Sequence, residues 1–218
     1  MTLRPLADVS PGNWLVDAAD PSYTVIARGP AGFESYARIL HTSPNPQDHD
    51  RREGCLDEDQ LGALREVLAA HTAPGQDCFN ALWDGFGAID GGEAANFLTA
   101  FTGSYAYGRI FRQARKSAPP PPAFPAEVIL GPRLRLPHRE YILFAGPLAD
   151  AGQWGAAPYA IDIPRDINSP NLLWPEDHSW FVATEIDQDW TSVAGPEALI
   201  SAVLADPRLE AVRSGDAR

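Results

Sequence analysis

Residues 174–190 (WPEDHSWFVATEIDQDW) hold three tryptophans, a phenylalanine, a histidine and five carboxylates, with no lysine or arginine. Aromatic bulk calls for a core or a recognition surface, whereas uncompensated carboxylates call for water, protons or cations. A chain with both in one segment must send neighbouring residues to opposite environments. Period-2 alternation does this, so residues 180–187 are predicted to form a strand. Trp180, Val182, Thr184 and Ile186 then share an apolar face. Phe181, Ala183, Glu185 and Asp187 share the other, which turns acidic at its end. Two residues of strand rise place Glu185 and Asp187 about 7 Å apart, and Asp189 would extend the row.

The rest of the chain supplies partners for such a strand. Residues 23–28 and 33–41 read as two strands of a hairpin around Gly29-Pro30-Ala31-Gly32. Residues 57–71 (DEDQLGALREVLAAH) read as a helix, with acids in the first turn and Leu61, Leu64 and Leu68 in one stripe. Residues 78–83 read as a buried strand, followed by a glycine-rich turn region at Gly85, Gly87, Gly91 and Gly92. Residues 93–101 and 105–116 suit helices. Residues 127–130 and 141–144 suit strands, residues 147–169 a long irregular loop, and residues 196–205 a helix with Pro196 at its start. Strands and helices without regular βαβ alternation imply an α+β fold with a mainly antiparallel sheet. The expected organisation is one domain over residues 1–218, with a flexible loop at 42–54 and a proline-rich loop at 117–126.

Charge narrows the function classes. Twenty-nine acidic against 17 basic residues give a net charge of −12, which argues against a nucleic-acid binder. The imbalance is regional: residues 140–192 carry nine acids and only Arg165, while residues 109–139 carry seven basic residues against Glu127. The two blocks either face each other or serve separate partners. No run approaches the roughly 18 apolar residues of a membrane span. The start, MTLRPLADVSPGNW, lacks a signal-peptide core. Two cysteines, Cys55 and Cys78, make no disulfide framework. A cytoplasmic protein with reduced thiols is expected.

The row Glu185, Asp187 and Asp189 offers oxygen ligands for Mg²⁺ or Ca²⁺, a seat for a cationic ligand or basic loop, or a carboxyl with a raised pKa. Its bland alternative is solvation, or pairing with Arg133, Arg135 or Arg139. Asp177 beside His178 suggests an oriented imidazole with a raised pKa, provided Pro175 makes a turn. His41, His49 and Cys55 match no standard zinc spacing. No GxSxG, CxxC, HExxH or phosphate-loop signature is present. No residue is therefore assigned as catalytic or as a metal ligand, and no cofactor is implied.

The blocks GFESYARILH (32–41), ALWDGFG (81–87), REYILFAGPL (139–148) and LLWPEDHSWFVATEIDQDWTSVAG (172–195), with DPRLEAV (206–212) beyond them, resemble a family of uncharacterised soluble bacterial proteins. The resemblance spans most of the chain, and its most specific part is WPEDHSW…TEID. It implies that the blocks belong to one domain and lends no catalytic residue.

The function expected is a non-enzymatic acidic binding module that neutralises a basic protein partner, in the manner of an immunity protein or inhibitor. Its binding residues would be Trp174, Asp177, His178, Glu185, Asp187, Asp189 and Trp190. The alternative is a small-molecule or divalent-metal enzyme with a pocket around His178 and the Glu185–Asp187 row.

Overall fold

A computed structural model of the protein describes residues 3–18, 24–43, 51–90, 121–160 and 162–214. Its nine strands are β1 (Arg4–Pro5), β2 (Ser35–Leu40), β3 (Asp77–Trp83), β4 (Leu134–Leu136), β5 (Arg139–Pro147), β6 (Leu172–Pro175), β7 (Phe181–Thr184), β8 (Trp190–Gly195) and β9 (Ala211–Ser214). They make one sheet in the order β1-β5-β3-β6-β7-β8-β2-β9, with β4 also on β5. Every pairing is antiparallel. Among the described residues, six α-helices flank it: α1 (Asn13–Ala18), α2 (Thr24–Arg28), α3 (Glu58–Ala69), α4 (Gly87–Asp90), α5 (Ala126–Ile129) and α6 (Glu197–Ala205). This is the expected α+β architecture.

Helix α3 forms for local reasons. The Asp57 carboxylate accepts the Gln60 N–H at 2.7 Å, satisfying one of the orphan donors of the first turn. Glu58 and Asp59 sit where the helix dipole favours them. Leu61, Leu64 and Leu68 are buried on one stripe, each such side chain contributing about 1.5–3 kcal/mol of burial. With Leu199, Ile200 and Val203 of α6, they cover a face of the sheet made by Ala37, Ile39, Val182 and Val193. Trp180 lies in this layer and donates its indole N–H to the Thr72 hydroxyl at 3.0 Å.

The opposite face carries Leu172, Trp174, Phe181 and Ala183, packed with Leu15 of α1 and with Val25 and Ile26 of α2. A third cluster, around Leu82, Ile142, Phe144 and Trp154, is closed by Ile89, Phe124 and Val128. The central strands are thus buried on both sides, and the expected split of β7 into an apolar and a half-polar face does not occur.

Three readings of the sequence are corrected. Residues 24–28 are a helix, not the first strand of a hairpin. Val25, Ile26 and Ala27 are all buried, and a helical turn lets three consecutive residues seat on β7 and β8 where a strand would turn one of them out. Strand β2 accordingly pairs with β8 and β9. Residues 126–129 are a helix led by Pro125, a position where the missing N–H is harmless. Strand β7 stops at Thr184, so Glu185, Asp187 and Asp189 are not a row along one strand face.

The glycine-rich stretch includes α4. Gly91, Gly92, residues 44–50, the helices expected at 93–101 and 105–116, the basic residues Arg109, Arg112, Arg115 and Lys116, and Pro119 and Pro120 lie outside the described residues. Among the described residues, no helix is long and apolar enough to cross a membrane.

Candidate functional site

The seven residues singled out in 174–190 fall into three places. Trp174 is fully buried in β6, with ring centroids of Phe79, Phe181 and Trp14 at 5.6, 6.1 and 6.3 Å. Asp177 and His178 form the turn between β6 and β7. Glu185, Asp187 and Asp189 form the turn between β7 and β8, which Trp190 enters as its first strand residue. The two turns sit at opposite ends of β7, so His178 does not face the Glu185–Asp187 pair. Trp174 and Trp180, on opposite faces of the sheet, do not line one cavity with them either.

At the first turn, the Asp177 carboxylate accepts the Ser179 N–H at 3.0 Å and closes the loop. His178 takes a left-handed backbone (φ 56°) and stacks on Trp14, with centroids 4.2 Å apart and planes 17° from parallel. That burial lowers its pKa and outweighs the opposing pull of Asp177. The expectation of a raised value is overturned: the carboxylate points at Ser179, while the ring desolvates against indole.

At the second turn, strand register brings in Arg139, the first residue of β5. Its Nε donates to Glu185 Oε1 at 2.8 Å and its Nη2 to Asp187 Oδ2 at 2.9 Å. The other Glu185 oxygen accepts the Asp187 N–H at 2.7 Å. Glu185 is only 3% exposed, so this is a buried ion pair that closes the turn. Asp187 stays exposed. Of the three candidate arginines, Arg133 binds Asp84 and Arg135 binds Glu140. Asn171, which the sequence reading passed over, stitches the neighbouring strand ends together. Its side chain accepts the Trp83 N–H at 2.8 Å and donates to the Thr184 carbonyl at 3.1 Å.

Asp187 leads into the feature that spacing could not show, a groove of two adjoining cavities of about 460 and 470 Å³. They share Asp166, Ile167 and Asn168. One is bounded by Glu53, Gly54, Trp83, Phe86, Ile186 and Asp187. The other runs between α3 (Leu61, Arg65), the 151–156 segment, and Asp57 and Glu58. Trp83 and Phe86 meet edge to face at 5.0 Å, and the Arg139 guanidinium carbon lies 5.6 Å from the Trp83 ring. Two glycines set this shape. At Gly54 (φ 72°) a side chain would meet the Ile186 carbonyl oxygen at 2.6 Å, and at Gly85 it would strike the Trp83 ring. Glu53, Glu58 and Asp166 are exposed on the rim and form no ion pair among the described residues. Arg65 donates to the Ala149 and Ala151 carbonyls, and Arg165 to those of Ala157, Ala88 and Pro121.

His41, once a metal-ligand candidate, does not line this groove but ties down the main chain of Arg52, which does. It is fully buried; its Nδ1–H donates to the Arg52 carbonyl at 2.7 Å. A carbonyl only accepts, so Nε2 is the acceptor and takes the Thr191 hydroxyl proton at 2.8 Å. Thr184 in turn donates to Thr191 at 2.8 Å. Burial lowers the His41 pKa despite the Arg52 carbonyl and nearby Asp189 and Asp57. The unfolded chain therefore binds a proton more readily than the folded one, and stability falls as pH drops below about 6.5. A urea titration series from pH 7.5 to 5.5 should show the midpoint decreasing, by at most about 1.4 kcal/mol per pH unit for this one group. His41→Asn should flatten that slope at lower overall stability; an unchanged slope would exclude His41 as its source.

Both cysteines carry buried free thiols, and burial pushes Cys78 up to about 12. Among the described residues, no three His, Cys, Asp or Glu side chains converge to hold a metal. Compared with known proteins, the chain matches no family model, no curated protein and no solved structure.

Proposed function

We propose that this chain is an acidic binding module that captures a basic protein partner, and that the partner docks in the groove beside Asp187. The observation that carries this reading is the pairing of uncommitted carboxylates with an aromatic wall. Glu53, Glu58 and Asp166 stand exposed on the rim, Asp187 sits at one end, and Trp83 and Phe86 form one side. A lysine or arginine entering there would meet ring faces, worth about 0.5–1 kcal/mol for an exposed contact. Carboxylates on the rim would steer it in, and a net charge of −12 extends that steering beyond the groove. Of the three arginines that line the groove with these acids, Arg65 and Arg165 turn guanidinium N–H groups to main-chain carbonyls and the exposed Arg52 forms no ion pair among the described residues, so none of them caps the acids.

A fluorescently labelled arginine/lysine-rich peptide, with a Gly/Ser peptide of equal length as reference, tests this by anisotropy. The basic peptide should bind selectively and weaken as salt rises from about 50 to 200 mM, where screening shortens to roughly 8–10 Å or less. The double variant Glu53→Lys/Asp166→Lys should lose at least about tenfold in affinity, about 1.4 kcal/mol. Reversal at Asp17 and Glu176, outside the groove, should change it little. Equal losses from the two pairs would reduce the effect to net charge and sink the groove as the docking site.

A further inference from the structure

Most of the described arginines are tied down. Among the described residues, seven pair with carboxylates, and Arg65 and Arg165 donate to carbonyls. Arg28, Arg38 and the exposed Arg52 do neither, in a sequence whose acids outnumber its bases 29 to 17, and the two that belong to regular elements, Arg28 and Arg38, are set apart by their surroundings. Each instead lies on an aromatic ring. The guanidinium carbon of Arg28 is 5.2 Å from the Tyr36 ring, and that of Arg38 is 4.1 Å from the Trp190 ring.

A ring stack engages the face of a guanidinium and leaves its edge for hydrogen bonds. In Arg28 that edge is buried: Nε and Nη2 both lack a partner among the described residues, and so does Nε of Arg38. Nε and Nη2 are the parallel donors with which an arginine grips a carboxylate or phosphate bidentately. Buried donors are paired as a rule, so a fork enclosed without a protein acceptor points to a ligand that supplies one.

The fold brings the two arginines together. Tyr36 and Arg38 are two residues apart on β2 and share a face. Ser192 of β8 is the cross-strand partner of Arg38, and its hydroxyl donates to the Arg28 carbonyl at 2.9 Å. The end of α2 is thereby fastened beside Arg38. On the other side of β2, Val212 opposes Arg38 and is 46% exposed, so this face of the sheet reaches solvent.

We propose that Arg28 and Arg38 form an oxoanion-binding site, in which a phosphate or carboxylate group seats on the Arg28 fork with Arg38 Nε as a further donor. The site is separate from the acidic groove and of opposite charge.

Thermal denaturation with inorganic phosphate or succinate, against sodium chloride at equal ionic strength, tests it. A saturable rise in Tm, half-complete below about 1 mM, is expected with at least one of the two anions. A response to phosphate alone assigns a phosphate ligand, and one to succinate alone a carboxylate. Arg28→Gln/Arg38→Gln should abolish the rise while leaving Tm in chloride unchanged or higher, because the arginines hold no protein acceptor. Arg135→Gln, an exposed control, should keep it. A Tm indifferent to both anions, or a rise retained in the double variant, overturns the proposal. If the double variant fails to fold, the wild type decides: the Arg28 and Arg38 Nε–H resonances must move on titration, and static ones refute the site.

Discussion

Arg139→Met should destabilise the protein by about 3–5 kcal/mol, the usual cost of removing one partner from a buried ion pair. Glu185 is 3% exposed, and its acceptors divide between the arginine and the Asp187 N–H. Without the guanidinium one carboxylate oxygen is left in a site with little water. Glu185→Gln in the Arg139→Met background should recover much of the loss, since a neutral amide can still accept the Asp187 N–H. Asp187→Asn alone should cost no more than about 1 kcal/mol, because that carboxylate is exposed and screened. Guanidinium chloride unfolding of the four proteins measures all three differences. A loss below about 1 kcal/mol for Arg139→Met would show that the pair is not enclosed as described.

That pair also shows what the sequence could and could not convey. Spacing within 174–190 exposed the tension between aromatics and acids, and Arg139 was one of three cations able to resolve it. Choosing among them needs the register of β5 against β3, which sets Trp83 opposite Tyr141 and leaves Arg139 at the strand end beside the β7–β8 turn. Such long-range register leaves no periodic trace. Elements with local causes were readable: α3 through its Asp57 cap and leucine stripe, β3 through its apolar run between breakers, and α6 through Pro196 and its inner face. Elements decided by tertiary packing were not. The β-branched Thr24, Val25 and Ile26 suggest a strand, yet contact with β7 and β8 makes them a helical turn. Strands β1, β4, β6, β8 and β9 are short or rich in small and polar residues, and their pairing comes from neighbours. The groove is built from segments around 53, 83, 152, 166 and 187 that share no motif.

The distribution of charge follows from the same packing. The acids of the aromatic segment largely serve the fold: Glu185 closes one turn and Asp177 the other. Carboxylates without an ion pair among the described residues gather elsewhere, on the groove rim, where Glu53 and Asp166 lie on loops and Glu58 opens α3. A sequence reading drawn to the densest acidic cluster therefore lands beside the groove, with Asp187 as the acid common to both.

The three tryptophans of that segment should separate by cost. Trp174→Ala and Trp180→Ala should each destabilise by about 3–5 kcal/mol, the range for emptying a fully buried aromatic site. For a chain of this size that lowers Tm by roughly 6–20 °C. Trp190→Ala should cost less than about 2 kcal/mol, because its ring is partly exposed and its main contact is the Arg38 stack. The two core residues differ in turn. Trp180 donates to Thr72 at 3.0 Å, whereas the Trp174 indole N–H has no hydrogen-bond partner among the described residues. Trp180→Phe therefore removes a hydrogen bond as well as volume, and should be worse than Trp174→Phe by about 0.5–1.5 kcal/mol. Urea midpoints for the five variants give the order directly. A Trp190→Ala loss equal to the core pair would mean that this ring is enclosed, and that Arg38 is held as part of the core instead of standing ready for a ligand.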